Sequence, residues 1–185
     1  MNWIESIRAY APVSEQEKKD KELILHCIEV FDDVLTRKND IAHMTSSAFV
    51  VNKTKDKVLM VYHNIFDSWS WTGGHADGDE DLLAVAMREA QEETGIRNVS
   101  PVVPGIFSLD VIPVLSHIRR GEYIPAHLHL TAAYLLEADE GEKLSAKLDE
   151  NSAVKWIPID QVNIFSNEPH MKKVYEKLIT KIKCK

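Results

Sequence analysis

The chain has 185 residues, 44% of them hydrophobic and 28% charged, which suits one soluble globular domain with a sizeable core. Its net charge of −7 leaves no strong basic stripe and argues against non-specific binding of nucleic acid. No apolar run approaches membrane-spanning length. The opening MNWIESIRAY has neither a basic nor an apolar signal region, and Cys27 and Cys184 lack metal-site spacing, so a cytoplasmic protein outside any membrane is expected.

Residues 1–42 read as an N-terminal helical extension packed on the domain that occupies residues 43–185. Trp3, Ile4, Ile7 and Tyr10 have helical spacing, and Pro12 breaks the run. Ser14 and Glu17 have capping-box spacing. Leu23, Ile24, Cys27, Ile28, Phe31, Val34 and Leu35 then form an apolar helical stripe, whose alternative use is a homodimer contact. Apolar residues 47–51 and 58–61, separated by a polar turn, read as a pair of strands. The loop at 64–71 carries Phe66, Trp69 and Trp71, suited either to stacking on a base or to the rim of the core.

Residues 82–93 lack Gly and Pro and are rich in helix formers. Asp77 with Glu80 has capping-box spacing, Asp79 is the alternative cap, and Gly95 is a stop signal. Leu83, Ala86, Met87, Ala90 and Thr94 fall on one arc, expected to pack on a sheet. Glu89, Glu92 and Glu93 share another face. Two unit charges about 4 Å apart interact by roughly 4 kcal/mol at an effective dielectric near 20. An enclosed cluster of three carboxylates therefore needs cations or raised pKa values. All-oxygen ligands suit Mg²⁺ or Mn²⁺, and Arg88 can orient one acid by a bidentate contact.

Beyond that helix, Pro101, Pro104, Gly105 and Pro113 interrupt an apolar stretch, predicting a bent or bulged strand over 102–113. Residues 116–125 read as a polar loop whose Arg119 and Arg120 can meet a phosphate. Residues 126–136 alternate, with His127, His129, Thr131 and Ala133 on one face. A zinc site wants further nitrogen or sulfur ligands at recognisable spacing. None is visible, so His127 and His129 read as substrate-pocket or polar-face residues, and His75 is the better pocket candidate. Residues 137–150 are a largely acidic loop, 153–157 a strand stopped by Pro158. Asn167 or Glu168 with Pro169 starts a final helix bearing Met171, Val174, Tyr175, Leu178, Ile179 and Ile182 on one side. Strands flanking an acidic helix, with helices at both ends of the chain, predict an α/β sandwich.

The helix belongs to a longer pattern. Gly74 is followed after five residues by Glu80, then after seven by Arg88-Glu89, then Glu92-Glu93, Gly95 and Ile96. Seven fixed identities at ordinary residue usage arise by chance with odds on the order of one in a million, so a merely solvated acidic face is set aside. The stretch resembles the Nudix box, Gly-x5-Glu-x7-Arg-Glu-U-x-Glu-Glu-x-Gly-U with U a bulky aliphatic. Ala90 is a small occupant of the first U. The lead-in Trp71-Thr72-Gly73-Gly74-His75 also resembles the family's, with Thr72 where Pro is common.

The resemblance implies a Nudix-type α/β/α sandwich with a mixed sheet, plus the N-terminal helical extension and a C-terminal helix. It implies a Mg²⁺-dependent (or Mn²⁺-dependent) pyrophosphohydrolase that cleaves a nucleoside diphosphate linked to another group. The alternative is a silent nucleotide-binding or sensor domain. The implied metal ligands are Glu89, Glu92, Glu93 and the Gly73 carbonyl. Arg88, Glu89, Glu92 and Glu150 are the catalytic candidates, with Glu92 or Glu150 as general base. Gly74, His75, His127 and His129 are assigned to substrate binding. Glu80 is read as support for the helix start. The family's isomerases need a core cysteine, which neither Cys27 nor Cys184 supplies. Pro113 lies roughly where some ADP-ribose hydrolases of the family place a Pro.

Overall fold

The computed structural model describes residues 2–119 and 121–184. Hydrogen bonding orders five strands as β10 (Asn151–Pro158), β2 (Lys57–His63), β1 (Ala42–Val51), β9 (His127–Ala138) and β5 (Val99–Pro101), with β3 (Ser68–Ser70) on β2, β4 (Thr72–His75) on β1 and β6 (Ser108–Val114) on β9. A mixed sheet with helices packed around it is the expected α/β architecture. Two compact units can be distinguished, and β1, β4, β9 and the helix α3 (Leu82–Thr94) contribute residues to both.

The first unit comprises Met1–Ser47, Gly73–Ala86 and Gly105–Tyr134. The N-terminal segment forms α1 (Trp3–Ala9) and α2 (Glu15–Val30) as expected. Ser14 accepts the Glu17 N–H at 3.1 Å, which starts α2. Glu17 is fully buried. Its carboxylate does not close a capping box. It accepts from the Tyr10 hydroxyl at 2.7 Å, the Val13 N–H at 2.9 Å and the Ser108 hydroxyl at 3.2 Å. Asp20 likewise accepts the Val111 N–H at 2.9 Å. These bonds tie α2 to β6 (Ser108–Val114). The apolar stripe outruns the helix: α2 ends at Val30, and buried Val34 lies in the turns beyond it.

β6 runs antiparallel to β9 (His127–Ala138), from Ser108 opposite Ala133 to Val114 opposite His127. Only the second half of the expected strand at 102–113 forms, as β6; residues 102–107 are bends and loop, and β5 (Val99–Pro101), just before that range, pairs with a different part of β9. The expected loop at 116–125 is a hairpin of β7 (His117–Arg119) and β8 (Glu122–Ile124), turned at Gly121 with φ 86°. The side chains of Arg119 and Arg120 lie outside the described residues. The two alternating faces expected of residues 126–136 are both buried over residues 130–136. A strand covered on both faces loses that alternation.

The second unit comprises Ala48–Thr72, Met87–Pro104 and Leu135–Lys185. β1 (Ala42–Val51) is longer than the predicted strand, and its Val50 and Val51 pair with β2 (Lys57–His63). β2 lies between β10 (Asn151–Pro158) and the short β3 (Ser68–Ser70), antiparallel to each. A brief α4 (Val162–Phe165) precedes α5 (Pro169–Lys183), which begins with Pro169 as expected. Met171, Tyr175, Leu178 and Ile182 are its buried stripe.

The aromatic loop belongs to this unit's packing. Trp71 is buried, with its ring edge-on to Tyr175 at 5.9 Å. The Trp69 ring meets Tyr62 at 5.5 Å and Phe165 at 6.3 Å. These contacts favour the rim-of-the-core reading over a base-stacking platform.

Candidate active site

The acidic helix α3 spans Leu82–Thr94. Its cap is neither Asp77 nor Asp79. Asp81 Oδ1 accepts the Ala84 N–H at 3.0 Å, the geometry of an N-cap. Asp77 has φ 49° and Gly78 φ 92°, so the chain is still turning there. The Asp77 carboxylate pairs instead with the Arg37 guanidinium. At the other end Gly95, at φ 76°, donates its N–H to the Gln91 carbonyl at 2.9 Å, the expected stop.

The buried stripe of α3 is Leu82, Val85, Ala86, Ala90, Glu93 and Thr94. It is rotated from the predicted arc, and Leu83 and Met87 are only half-buried. The rotation matters because it carries Glu93 inside. The three glutamates therefore form a gradient: Glu93 is 4% exposed, Glu89 half-buried, and the Glu92 side chain 49% exposed.

One tight turn before β10 faces these acids. Glu150 and Asn151 both donate backbone N–H groups to the Lys147 carbonyl, at 3.0 and 2.8 Å. Asn151 Nδ2 donates to Glu93 Oε2 at 3.0 Å. Lys147 Nζ lies 3.1 Å from Glu150 Oε2 and 3.8 Å from Glu92 Oε2. Burial pushes the Glu89 carboxyl above its ordinary pKa, and Glu92 and Glu150 push the same way against Lys147 and Arg88. Burial opposes the charge on Lys147, but Glu150, Glu89 and Asp149 outweigh it and raise its pKa.

This environment fits a hard divalent cation. The donors are carboxylate oxygens, partly withdrawn from water. Around Glu89 the acids outnumber the cations, Glu89, Glu92 and Glu150 against Lys147 and Arg88. Beside buried Glu93, the Asn151 Oδ1 is itself buried without a hydrogen-bond partner, a further oxygen suited to a cation and not to an anion. Glu150, reached from sequence only by its position before a strand, stands within the field of Glu89. Lys147 and Asn151 are parts of the site that sequence reasoning missed. Nothing in the pattern of an acidic loop distinguishes them.

In the first unit, Gly73, Gly74 and His75 lie half-buried in β4 (Thr72–His75). A Cβ on Gly73 would sit 2.5 Å from Ser47 Oγ and 2.8 Å from the Ser46 carbonyl oxygen, so close strand approach demands glycine. His75 and His129 are brought together with His43, a residue given no role from sequence, and His127 adjoins them. Among the described residues, ligand atoms within 4.8 Å of one another belong to His43, His75 and His129. The glutamates are instead interleaved with Lys147.

The NUDIX domain model matches residues 42–178. The chain belongs to the Nudix family. Over 122 residues it is 34% identical to m7GpppN-mRNA hydrolase NUDT17 of Xenopus laevis, covering 60% of this chain and 40% of that one. Over 120 residues it is 41% identical to CMP-5'-(N-acetyl-N-hydroxy-3-aminopropyl)phosphonate hydrolase of Streptomyces rubellomurinus, covering 63% and 52%. The chain thus spans about half the length of these curated relatives. A Nudix-family hydrolase structure from Clostridium perfringens superposes with a TM-score of 0.53 at 22% identity, covering 75% of this chain and 96% of that one. The Nudix fold expected from the box is therefore present. Nudix hydrolases generally use a divalent metal. No helix among the described residues is long and apolar enough to cross a membrane.

Proposed function

We propose that this Nudix protein hydrolyses the phosphoanhydride bond of a nucleoside diphosphate linked to a second group. The observation that carries the reading is the graded, partly desolvated acid face of α3, with Glu93 buried against Asn151 and the Glu89 carboxyl raised. Both curated relatives act, by name, on nucleotide-linked substrates, which supports the same substrate class here. Cytoplasmic residence is part of the proposal, in keeping with two cysteines that form no disulfide.

Glu89, Glu92 and Glu93 are the proposed ligands of Mg²⁺ or Mn²⁺, with the Gly73 carbonyl added on the order of the motif. A bound divalent ion supplies Lewis-acid neutralisation of charge developing on the phosphoryl oxygens. Arg88 positions the acids. Either Glu92 or Glu150 takes the proton of the attacking water; Glu150, only 30% exposed and held by Lys147, is preorganised for it. Water attacks phosphorus in line and the opposite phosphate leaves, so no covalent enzyme intermediate is needed. Gly74 is assigned to the substrate on the same motif grounds.

The test is a panel of sugar nucleotides, dinucleoside polyphosphates, capped dinucleotides and nucleoside triphosphates, incubated with Mg²⁺ or Mn²⁺. Products are identified by mass, with ¹⁸O-water marking the phosphorus attacked. Metal-dependent cleavage of at least one anhydride, lost in Glu92→Gln, is expected. Binding without cleavage across the panel would replace the enzyme by a nucleotide-binding domain.

A further inference from the structure

Three histidines far apart in the chain meet in the first unit. His43 stands near the start of β1, His75 at the end of β4 and His129 near the start of β9. Each offers one ring nitrogen, and these nitrogens lie within 4.8 Å of one another. The ring centroids are 5.0, 5.2 and 5.1 Å apart, a nearly equilateral triangle. A tetrahedral zinc ion with Zn–N bonds of ~2.05 Å places imidazole centroids roughly 5.2 Å from one another. The rings already have that spacing.

A fourth imidazole completes the group. His127 has its ring centroid 4.9 Å from that of His43 and 5.1 Å from that of His129. Its Nε2 is 3.3 Å from His129 Nε2. The edge of a tetrahedron of nitrogens around zinc is ~3.3 Å.

His43 supplies an independent observation. Its Nδ1 lies 2.7 Å from the Asn39 carbonyl oxygen, which fixes the N–H there and leaves the lone pair on Nε2. That Nε2 is buried and has no hydrogen-bond partner. A buried orphan acceptor asks for an explanation. A backbone carbonyl on the far nitrogen is how proteins orient a metal-binding imidazole. His127 repeats the arrangement, with Nδ1 2.9 Å from the Pro125 carbonyl oxygen.

The charge state agrees. Burial first, then the neighbouring imidazoles, hold His129 far below the ordinary histidine pKa, and burial also lowers His43. Neutral imidazole is the form that ligates. The Asp77 carboxylate and the Arg37 guanidinium paired with it both lie within electrostatic reach of His43.

We propose that His43, His75 and His129 bind one transition-metal ion of the zinc class, with His127 as the fourth ligand. Nitrogen donors select zinc-like ions and oxygen donors select magnesium-like ones, so this centre is distinct in chemistry from the glutamate face. The ion would tie β1, β4 and β9 together.

The full chain, stripped with chelator, is titrated with Zn²⁺ against a chromogenic competitor, and separately with Co²⁺ while tetrahedral visible bands are followed. One equivalent is expected, tighter than about 1 μM. His43→Gln should weaken it at least about 100-fold, whereas Glu92→Gln should leave it unchanged. In the wild-type protein, long-range ¹⁵N spectra should show histidine ring nitrogens shifting on Zn²⁺ addition, a readout that survives any misfolding of the variant. Absence of stoichiometric binding, unshifted ring nitrogens, or loss of the zinc with Glu92→Gln instead of His43→Gln would overturn the proposal. These readouts do not depend on whether the protein cleaves a phosphoanhydride.

Discussion

Replacing Glu93 by Gln separates the stability of the acid face from its chemistry. Glu93 is 4% exposed and accepts from Asn151 Nδ2 at 3.0 Å, while the Asn151 Oδ1 beside it has no donor. A glutamine of the same size keeps the acceptor and brings an NH₂ group to that orphan oxygen. One such hydrogen bond is worth about 0.5–1.5 kcal/mol. A buried negative charge is also removed from an acid-rich helix. The metal-free variant should therefore melt no lower than wild type. Metal should tell the two apart. At one hundred times its dissociation constant a ligand stabilises the folded state by about 2.7 kcal/mol. The wild type should show that gain with Mg²⁺, and the variant should lose most of it. Lost stabilisation of transition-state charge, about 3–4 kcal/mol, corresponds to a fall in turnover of roughly 10²–10³-fold. Melting with and without Mg²⁺, and kcat on the best substrate of the panel, measure both sides. A variant within tenfold of wild-type turnover, or with an equal Mg²⁺-dependent rise in Tm, would refute the assignment of Glu93 as a ligand.

Three further outcomes follow from particular contacts. Gly73→Ala places a Cβ 2.8 Å from a backbone oxygen and should lower stability by about 1–3 kcal/mol in urea unfolding; an unshifted midpoint would show that the strands separate freely. Glu17→Ala removes the acceptor for the Tyr10, Val13 and Ser108 donors in a fully buried place. It should cost at least about 2–3 kcal/mol, and amide exchange in α2 should quicken. Burial raises the Glu168 carboxyl above its ordinary 4.5, against the pull of His170, Ser70 and Ser68. A folded pKa above the unfolded one means that ionisation costs stability, and the cost grows as pH rises from the unfolded value through the folded one. Glu168→Gln should thus raise Tm at pH 7 and give no gain near pH ~3.5, below both values. A gain of equal size at both pH values would show that its origin is not ionisation.

What sequence could and could not reveal follows from the range of the interactions involved. The Arg88, Glu89, Glu92 and Glu93 spacing is local: a helix of fixed period brings those side chains together whatever surrounds it, so the acid face was legible before any fold was known. Ser14, Pro169 and Gly95 were legible for the same reason, each acting on backbone groups within one turn. The rotation of α3 that buries Glu93 was not, because periodicity gives the width of an apolar stripe better than its centre. A glutamate counted as polar looks external until Asn151, far along the chain, is found donating to it. The histidines are the extreme case. His127 and His129 are two apart on one strand face, and by themselves they are an ordinary polar pair. Their partners arrive from β1 and β4, through pairings set by the whole sheet and not by spacing in the chain. Zinc motifs are recognised from sequence when the ligands share a turn or a hairpin. A centre assembled from three separate strands leaves no such signature, and becomes visible only as a buried nitrogen with nothing to accept.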